Sequence, residues 1–429
     1  MAISQNNKPP LHMILLLILA GESIFILPFV LARIFRPTVL DVFQLNNFQL
    51  GTCFSVYGIV AFVSYLWGGT LADKFKPRIL IALALFLTAL GGLVMASYPS
   101  YTIMKILFGY WGFTTIFLFW GAMIKATRVW GGTSKQGRAF GFLEGGRGLV
   151  AAGMGTIGVL IFSLFITVDL DKVTLIEQQE AFRYVILFTS LMVTVVGLLV
   201  LFFMKTKHSS EDSAPTAVTK RTTYANFKSV IKIPSVWLLM VIILCAYVGY
   251  KLTDIFSLYA KEVMLYDEIK SAQVGTFLLY IRPVVCVSIG LLADRSRASL
   301  WMILGFITML IGGVFYATGI IDAQMHLLFF MSLIITATGV YAIRTLYFAA
   351  MQEGHIPLAI TGTAVGVISV VGYTPDIFVG PVMGYLLDNS PGVTGHQHVF
   401  VMLSIFAAVG LVASLVFHRI NTKKNSQNK

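Results

Sequence analysis

Residues 68–78 read GGTLADKFKPR, directly after an uninterrupted apolar run. Lys74, Lys76 and Arg78 fall within five positions of a chain that is 57% hydrophobic and only 12% charged, against about 25% charged in an ordinary soluble domain. Residues 290–298 read GLLADRSRA, again after an apolar run. The two stretches share the pattern G-x-L-A-D-[KR]-x-[KR]. A charge cluster that only anchored a membrane helix would not repeat Gly, Leu and Asp at matching offsets. An internal duplication accounts for both copies.

Outward from these stretches the chain is a series of apolar runs of about 20 residues, each long enough to cross a hydrocarbon core of about 30 Å as a helix. The pattern predicts an all-α membrane protein with helices over 11–34, 49–72, 79–98, 101–126, 139–166, 181–205, 234–259, 271–293, 299–320, 325–351, 358–387 and 397–419. The first run exceeds the roughly 7–15 apolar residues of a signal peptide and lacks a small-x-small cleavage site, so it reads as the first helix. With both termini cytoplasmic, the inner loops collect most of the Lys and Arg, including Lys74, Arg128, Lys135, Arg138, Lys207, Arg221, Arg295 and Lys423. The outer loops then receive only Arg33, Arg36, Lys172, Arg183, Lys261 and Lys270, mixed with acids such as Asp41, Glu262, Glu268 and Asp388. That asymmetry favours cytoplasmic termini. The polar stretch 205–233, with HSSEDSAPTAVTK, reads as a cytoplasmic linker between a six-helix bundle over 1–204 and a second over 234–420, followed by a tail over 421–429. A weaker echo lays GRAFGFLEGGRG (137–148) on GTAVGVISVVGY (362–373), pairing Gly141 with Gly366 and setting Arg147 opposite Gly372. The halves share a frame and differ in charge.

The net charge of +12 does not point to nucleic acid, because the basic residues cluster between apolar runs and form no interleaved basic and aromatic face. Cys53, Cys245 and Cys286 lie inside apolar runs at spacings that suit neither a disulfide framework nor a zinc site. The pattern contains no metal cluster, nucleophile elbow or phosphate-binding loop; His396 and His398 have no further ligands near them. No enzyme, cofactor or metal is expected.

The duplicated motif resembles the signature of the major facilitator superfamily of secondary transporters. Gly69, Leu71, Ala72, Asp73, Lys74 and Arg78 match the family's loop motif after helix two, and Gly290 to Arg297 match its degenerate copy after helix eight. Lys105 and Gly109 resemble the family's helix-four motif with Lys in place of Arg. Lys76-Pro77 departs from the loop motif, where a glycine is common, and GPVMG (380–384) lies in helix eleven, not in helix five where drug antiporters carry such a motif. The resemblance implies two six-helix bundles around a cavity lined by helices 1, 4, 7 and 10. It also implies a cytoplasmic gate at Gly69, Asp73, Lys74, Arg78, Gly290, Asp294, Arg295 and Arg297.

An ionisable residue inside a membrane helix costs about 2.5–3.5 kcal/mol on insertion scales, so each needs a partner or a task. Glu22 sits near the middle of helix one; either a nearby cation neutralises it or it carries a proton. Lys251 and Asp254 share a face of helix seven and can pair locally or act as a coupling switch. Arg282 precedes Pro283, where a kink is expected and where an anion, Asp254 or Glu22 can be its partner. Glu144 and Arg147 share a face among glycines and are expected to pair, with anion binding by Arg147 as the sharper alternative. Arg344 has no acid within four residues and stands on a cavity helix between Tyr341 and Tyr347, which makes it the strongest candidate for anion recognition, with a structural pairing to another helix as the alternative. Trp111 and Trp120 fall at cavity depth on helix four. Asp376, after a proline in the outer half of helix eleven, is a candidate proton site with Glu22, Asp254 and Glu144, or an outer-gate partner.

These residues lead to a multi-pass transporter, read as a bacterial inner-membrane protein and a monomer, that moves a small anionic organic solute by alternating access with proton coupling. An exporter of hydrophobic drugs is the second reading, disfavoured by the charged core. A membrane receptor is the third; the linker of about 28 residues leaves no room for a signalling domain.

Overall fold

The computed structural model describes residues 10–131, 136–166, 174–204, 228–347, 350–356 and 361–427. Lys135 and linker residues 205–227 lie outside these segments. So do the side chains at 69, Asp73, Lys74, Arg128, Arg138 and Asp294.

Among the described residues, twelve helical spans are long and apolar enough to cross a membrane. They are α1 (Leu11–Ile34), α2 (Asn47–Tyr65), α3 (Pro77–Met95), α4 (Tyr101–Thr127), α5 (Gly141–Phe165), α6 (Leu175–Phe203), α7 (Pro234–Glu262), α8 (Glu268–Ala293), α9 (Ala298–Ala317), α10 (His326–Leu346), α11 (Gly366–Asn389) and α12 (Val393–Thr422). Leu90, Ile106, Leu164 and Phe202 are among the large apolar side chains that stay mostly exposed on the outer surface. In water such a surface would aggregate; against lipid it is the expected one. An even number of spans puts both chain ends on one side, the termini side.

Several boundaries differ from the sequence expectation for identifiable reasons. The helix of α6 starts at Leu175, not 181, because Thr174 and Glu177 form a capping box. The expected single helix over 358–387 is two helices, Thr361–Gly372 and Pro375–Asn389. Pro375 supplies no backbone N–H there, and Thr374 Oγ1 donates to Val371 O at 2.7 Å. Pro283, where a kink was expected, lies inside one helix running Glu268–Asp294. The tail expected after 420 continues as helix to Gln427, anchored by buried Asn421, which donates to Phe417 O at 2.9 Å and accepts from Ser235 Oγ at 3.2 Å.

Three spans change their winding inside the membrane. α1 has a π-helical turn over Ile26–Val30 around Pro28, and α4 has one over Phe113–Trp120, where Thr115 Oγ1 donates to Trp111 O at 2.7 Å. α7 tightens to a 3-10 turn at Thr253–Ile255, where Thr253 Oγ1 donates to Tyr250 O at 2.7 Å. Hydroxyls that compete for backbone carbonyls, and prolines that leave a carbonyl without its N–H donor, are the usual cause of such turns.

Glycines report which ends of the spans touch. At the side away from the termini, a Cβ on Gly51 would reach Gly380 O at 2.2 Å, and one on Gly384 would reach Asn47 O at 2.4 Å. A Cβ on Gly275 of α8 would meet Ile34 Cα of α1 at 2.8 Å. Toward the termini the same seams separate. Along α5, a Cβ on Gly148 would meet Pro283 at 3.1 Å, one on Gly145 only Val287 at 3.8 Å, and one on Gly141 nothing within 4 Å. Gly290 of α8 and Gly366 of α11 are likewise open. The far side is therefore packed backbone to backbone, while Gly141, Gly290 and Gly366 toward the termini, like Gly153 along α5, meet nothing within 4 Å among the described residues.

Candidate functional site

The winding changes in α1, α4 and α7 and the break in α11 surround one central cavity. Glu22, Phe25, Phe29, Arg33, Tyr57, Tyr65, Trp120, Arg147, Tyr247, Tyr250, Lys251, Arg344, Tyr373 and Asp376 are among its lining residues. Its volume is about 70 Å³, room for about two waters at roughly 30 Å³ each. A metabolite therefore requires these side chains to move apart.

The charges around it form two compensated groups and one remainder. In the first, Arg147 Nε donates to Glu22 Oε2 at 3.0 Å and Nη1 to Glu144 Oε1 at 2.7 Å. Arg282 Nη2 reaches Glu144 Oε2 at 3.0 Å, and its Nη1 lies 3.8 Å from Glu22 Oε1. This quartet ties α1, α5 and α8 together. In the second, Arg33 Nε donates to Asp254 Oδ1 at 2.5 Å and Nη1 to Tyr250 OH at 3.1 Å. Lys251 Nζ lies 4.0 Å from Asp254 Oδ2 and 3.3 Å from Asp376 Oδ1, while Tyr247 OH donates to both Asp376 oxygens at 3.1 Å. Each group holds two cations and two carboxylates.

Arg344 is the remainder. Its Nε and Nη1 have no hydrogen-bond partner among the described residues. Its guanidinium lies 3.8 Å from the centre of the Tyr250 ring and 5.9 Å from that of Tyr247. Tyr373 stands against Tyr247 edge-on at 4.8 Å and stacks on Tyr65 at 6.3 Å. The result is a cation in an aromatic collar with its donors unspent.

Several sequence-derived candidates lie elsewhere. Trp111 is fully buried away from the cavity, with Nε1 donating to Thr88 O at 3.1 Å. Tyr341 is buried outside the lining, and Tyr347 stands behind Tyr373, hydroxyl to hydroxyl at 3.4 Å. Arg282 and Glu144 support Glu22 and Arg147 from behind. Lys251 and Asp254 share a face as expected, but Asp254 makes its short bond to Arg33, which the loop tally had placed among outer charges. Arg33 was overlooked although it falls inside the first apolar run; that position was the available signal. The collar tyrosines were also missed, although Tyr247, Lys251 and Asp254 are spaced to share one helix face.

At the termini side, Arg297 Nη1 donates to Thr422 Oγ1 at 2.5 Å, and Arg295 is exposed. Arg78 Nε has no partner among the described residues. Lys125 donates to Ala72 O at 3.1 Å and closes the end of the helix that α2 begins. A larger groove of about 740 Å³ between α5, α8 and α10 is lined by Leu160, Phe277 and Phe330 and holds no charge cluster. Its exposed apolar walls face lipid.

The comparison with known sequences accords with this geometry. A family model described as Major Facilitator Superfamily matches residues 13–379. The chain belongs to the Major Facilitator Superfamily. It is therefore a secondary transporter and a multi-pass integral membrane protein, not an enzyme. It is 26% identical over 400 residues to inner membrane protein YqcE of Escherichia coli K12, covering 91% of each chain. It is 27% identical over 422 residues to inner membrane protein YihN of the same organism, covering 96% of each. Among solved structures, a bacterial homologue of the human lysosomal transporter Spinster, inward-facing and unoccupied, superposes with a TM-score of 0.70 at 15% identity, over 95% of this chain and 97% of that one. This superfamily fold is what brings Glu22, Arg147, Lys251 and Arg344, distant in sequence, to one cavity.

Proposed function

We propose that this superfamily member carries a small organic anion by alternating access between two six-helix bundles, 1–204 and 234–420, with both termini in the cytoplasm of a bacterial inner membrane. One observation carries the reading of charge. Arg33, Arg147, Lys251, Arg282 and Arg344 face Glu22, Glu144, Asp254 and Asp376, which leaves one cation in excess. A carboxylate or phosphate on Arg344 balances the site and uses the two free donors. The tyrosine collar suits hydroxyl groups on the same solute. Protons are the coupling ion in this reading, with Asp376 as the leading carrier. It joins α7 to α11 beside the break at Tyr373 and Thr374, so its protonation loosens the bond to Lys251 where the backbone can respond.

The charged lining argues against an exporter of hydrophobic drugs, and one chain holding the whole cavity argues for a monomer. The test is uptake of organic acids and phosphorylated metabolites into proteoliposomes under an imposed pH gradient. Uptake lost in Arg344→Ala is expected. Absence of uptake for every anion, with raised drug tolerance on expression, would replace this reading with the exporter.

A further inference from the structure

On the sealed side, away from the central cavity, the short helix Arg36–Val42 and the start of α2 hold a second arrangement of charge. Arg36 is 0% exposed, yet no carboxylate lies within 4.0 Å of its guanidinium among the described residues. Its Nε and Nη2 both donate to Asn47 Oδ1, at 3.2 and 3.0 Å, and its Nη1 has no hydrogen-bond partner among the described residues. A buried guanidinium without a counter-ion is costly. Asn47 opens a helix of 28 residues, Asn47–Lys74, whose first N–H groups and dipole favour an anion.

That helix end already holds a carboxylate, supplied by α11. Asp388 Oδ1 accepts from Asn47 N at 3.1 Å and from Asn47 Nδ2 at 3.2 Å, while Oδ2 accepts from Phe48 N at 2.7 Å. Asp388 is tethered to α11, reaches the backbone and stops short of Arg36. Its seat depends on the backbone contact of α2 with α11 at Gly51, Gly380 and Gly384. When the seam opens, Asp388 withdraws and the donors around Asn47 lose their acceptor.

We propose that the start of α2, the Asn47 amide and the Arg36 guanidinium form an oxyanion-receiving site at the far mouth, which Asp388 fills while that mouth is closed. An untethered carboxylate or phosphate takes both the N–H groups of Asn47 and Phe48 and the unspent Arg36 donor. The closing carboxylate and the arriving solute thus compete for one seat, and occupancy by solute holds the far mouth open. The proposal does not rest on Arg344 or on the central cavity.

The test is a thermal-shift titration of the purified full-length protein with inorganic phosphate against chloride at matched ionic strength. Removing the tethered carboxylate in Asp388→Ala empties the site, so its apparent Kd for phosphate falls about tenfold below wild type. Adding Arg36→Gln reverses that gain, and adding Arg344→Gln leaves it intact. Should Asp388→Ala not fold, Asp388→Ser, which removes the carboxylate and shortens the side chain, carries the same comparison. A phosphate response equal to wild type, or one indifferent to Arg36→Gln, overturns the proposal. A response abolished by Arg344→Gln places the ion in the central cavity and overturns it as well.

Discussion

Arg147 and Arg344 both bring a guanidinium into the same cavity, and their surroundings make them opposite in role. Arg147 bonds Glu22 and Glu144, so its removal strands a buried carboxylate. Arg147→Ala is expected to cost about 3–5 kcal/mol of stability, as breaking a buried pair from one side does, read as a lowered Tm of the ligand-free protein. Arg344 has no carboxylate to strand, and Arg344→Gln removes a buried donor pair that is already unsatisfied. Its Tm is expected to stay close to wild type while anion-dependent stabilisation disappears. A Tm loss matching that of Arg147→Ala would make Arg344 structural. Arg33 and Asp254 follow the Arg147 pattern. Asp254→Asn leaves Arg33 and Lys251 as neighbouring cations, and pairing it with Arg33→Gln should recover part of the loss. A double-mutant cycle is expected to give a coupling of about 1–3 kcal/mol; a value near zero would remove the pair from the account of stability.

At the scale of elements, the seams between helices set which state the protein occupies. A side chain at Gly51 meets the backbone of α11, not a movable side chain, so Gly51→Leu cannot be absorbed by rotamer changes. Overpacking of this kind costs about 1–3 kcal/mol, charged here to the sealed state alone, which shifts the population of open forms by about 5- to 150-fold. Transport by Gly51→Leu should fall while alkylation of a cysteine replacing Ser55, one turn from Gly51 on the same face of α2, rises from the far side. Unchanged alkylation with unchanged transport would mean that α2 and α11 do not part during the cycle. The element boundaries behind this argument were only partly legible in the sequence. The apolar runs announced twelve spans because hydropathy over about 20 residues is a strong signal. The capping box at Thr174 and Glu177 was hidden by the polar run EQQE, which resembles a loop. Pro28 and Pro375 act where a proline should, but Pro283 does not break its helix. The π turn over Phe113–Trp120 contains no proline at all, and only the threonine hydroxyls hint at it.

At the scale of the whole molecule, the duplicated loop motif made the family legible, because it records a repeat within the chain itself. The pairing of charges was not legible. Arg147 finds Glu22 across 125 positions and Arg33 finds Asp254 across 221, and no local spacing encodes such distances. The motif also does not say which mouth is packed shut, whereas the glycine contacts of α2 with α11 do. A Cβ on Gly145 of α5 would meet Val287 of α8 at 3.8 Å, and Gly290, nearly one turn further toward the termini, has nothing within 4 Å among the described residues. If the termini are cytoplasmic, as the Lys and Arg distribution favours, water reaches Gly290 from the cytoplasm. A cysteine at Gly290 should then react with a membrane-impermeant maleimide in inverted vesicles and resist it in spheroplasts. The native Cys53, Cys245 and Cys286 are buried and give a low background. A cysteine at Gly384, where a Cβ would meet the Asn47 backbone at 2.4 Å, is itself a wedge and should part α2 from α11 as Gly51→Leu does. Labelling of the Gly290 cysteine in spheroplasts would reverse the orientation, and with it the direction from which the solute reaches Arg344.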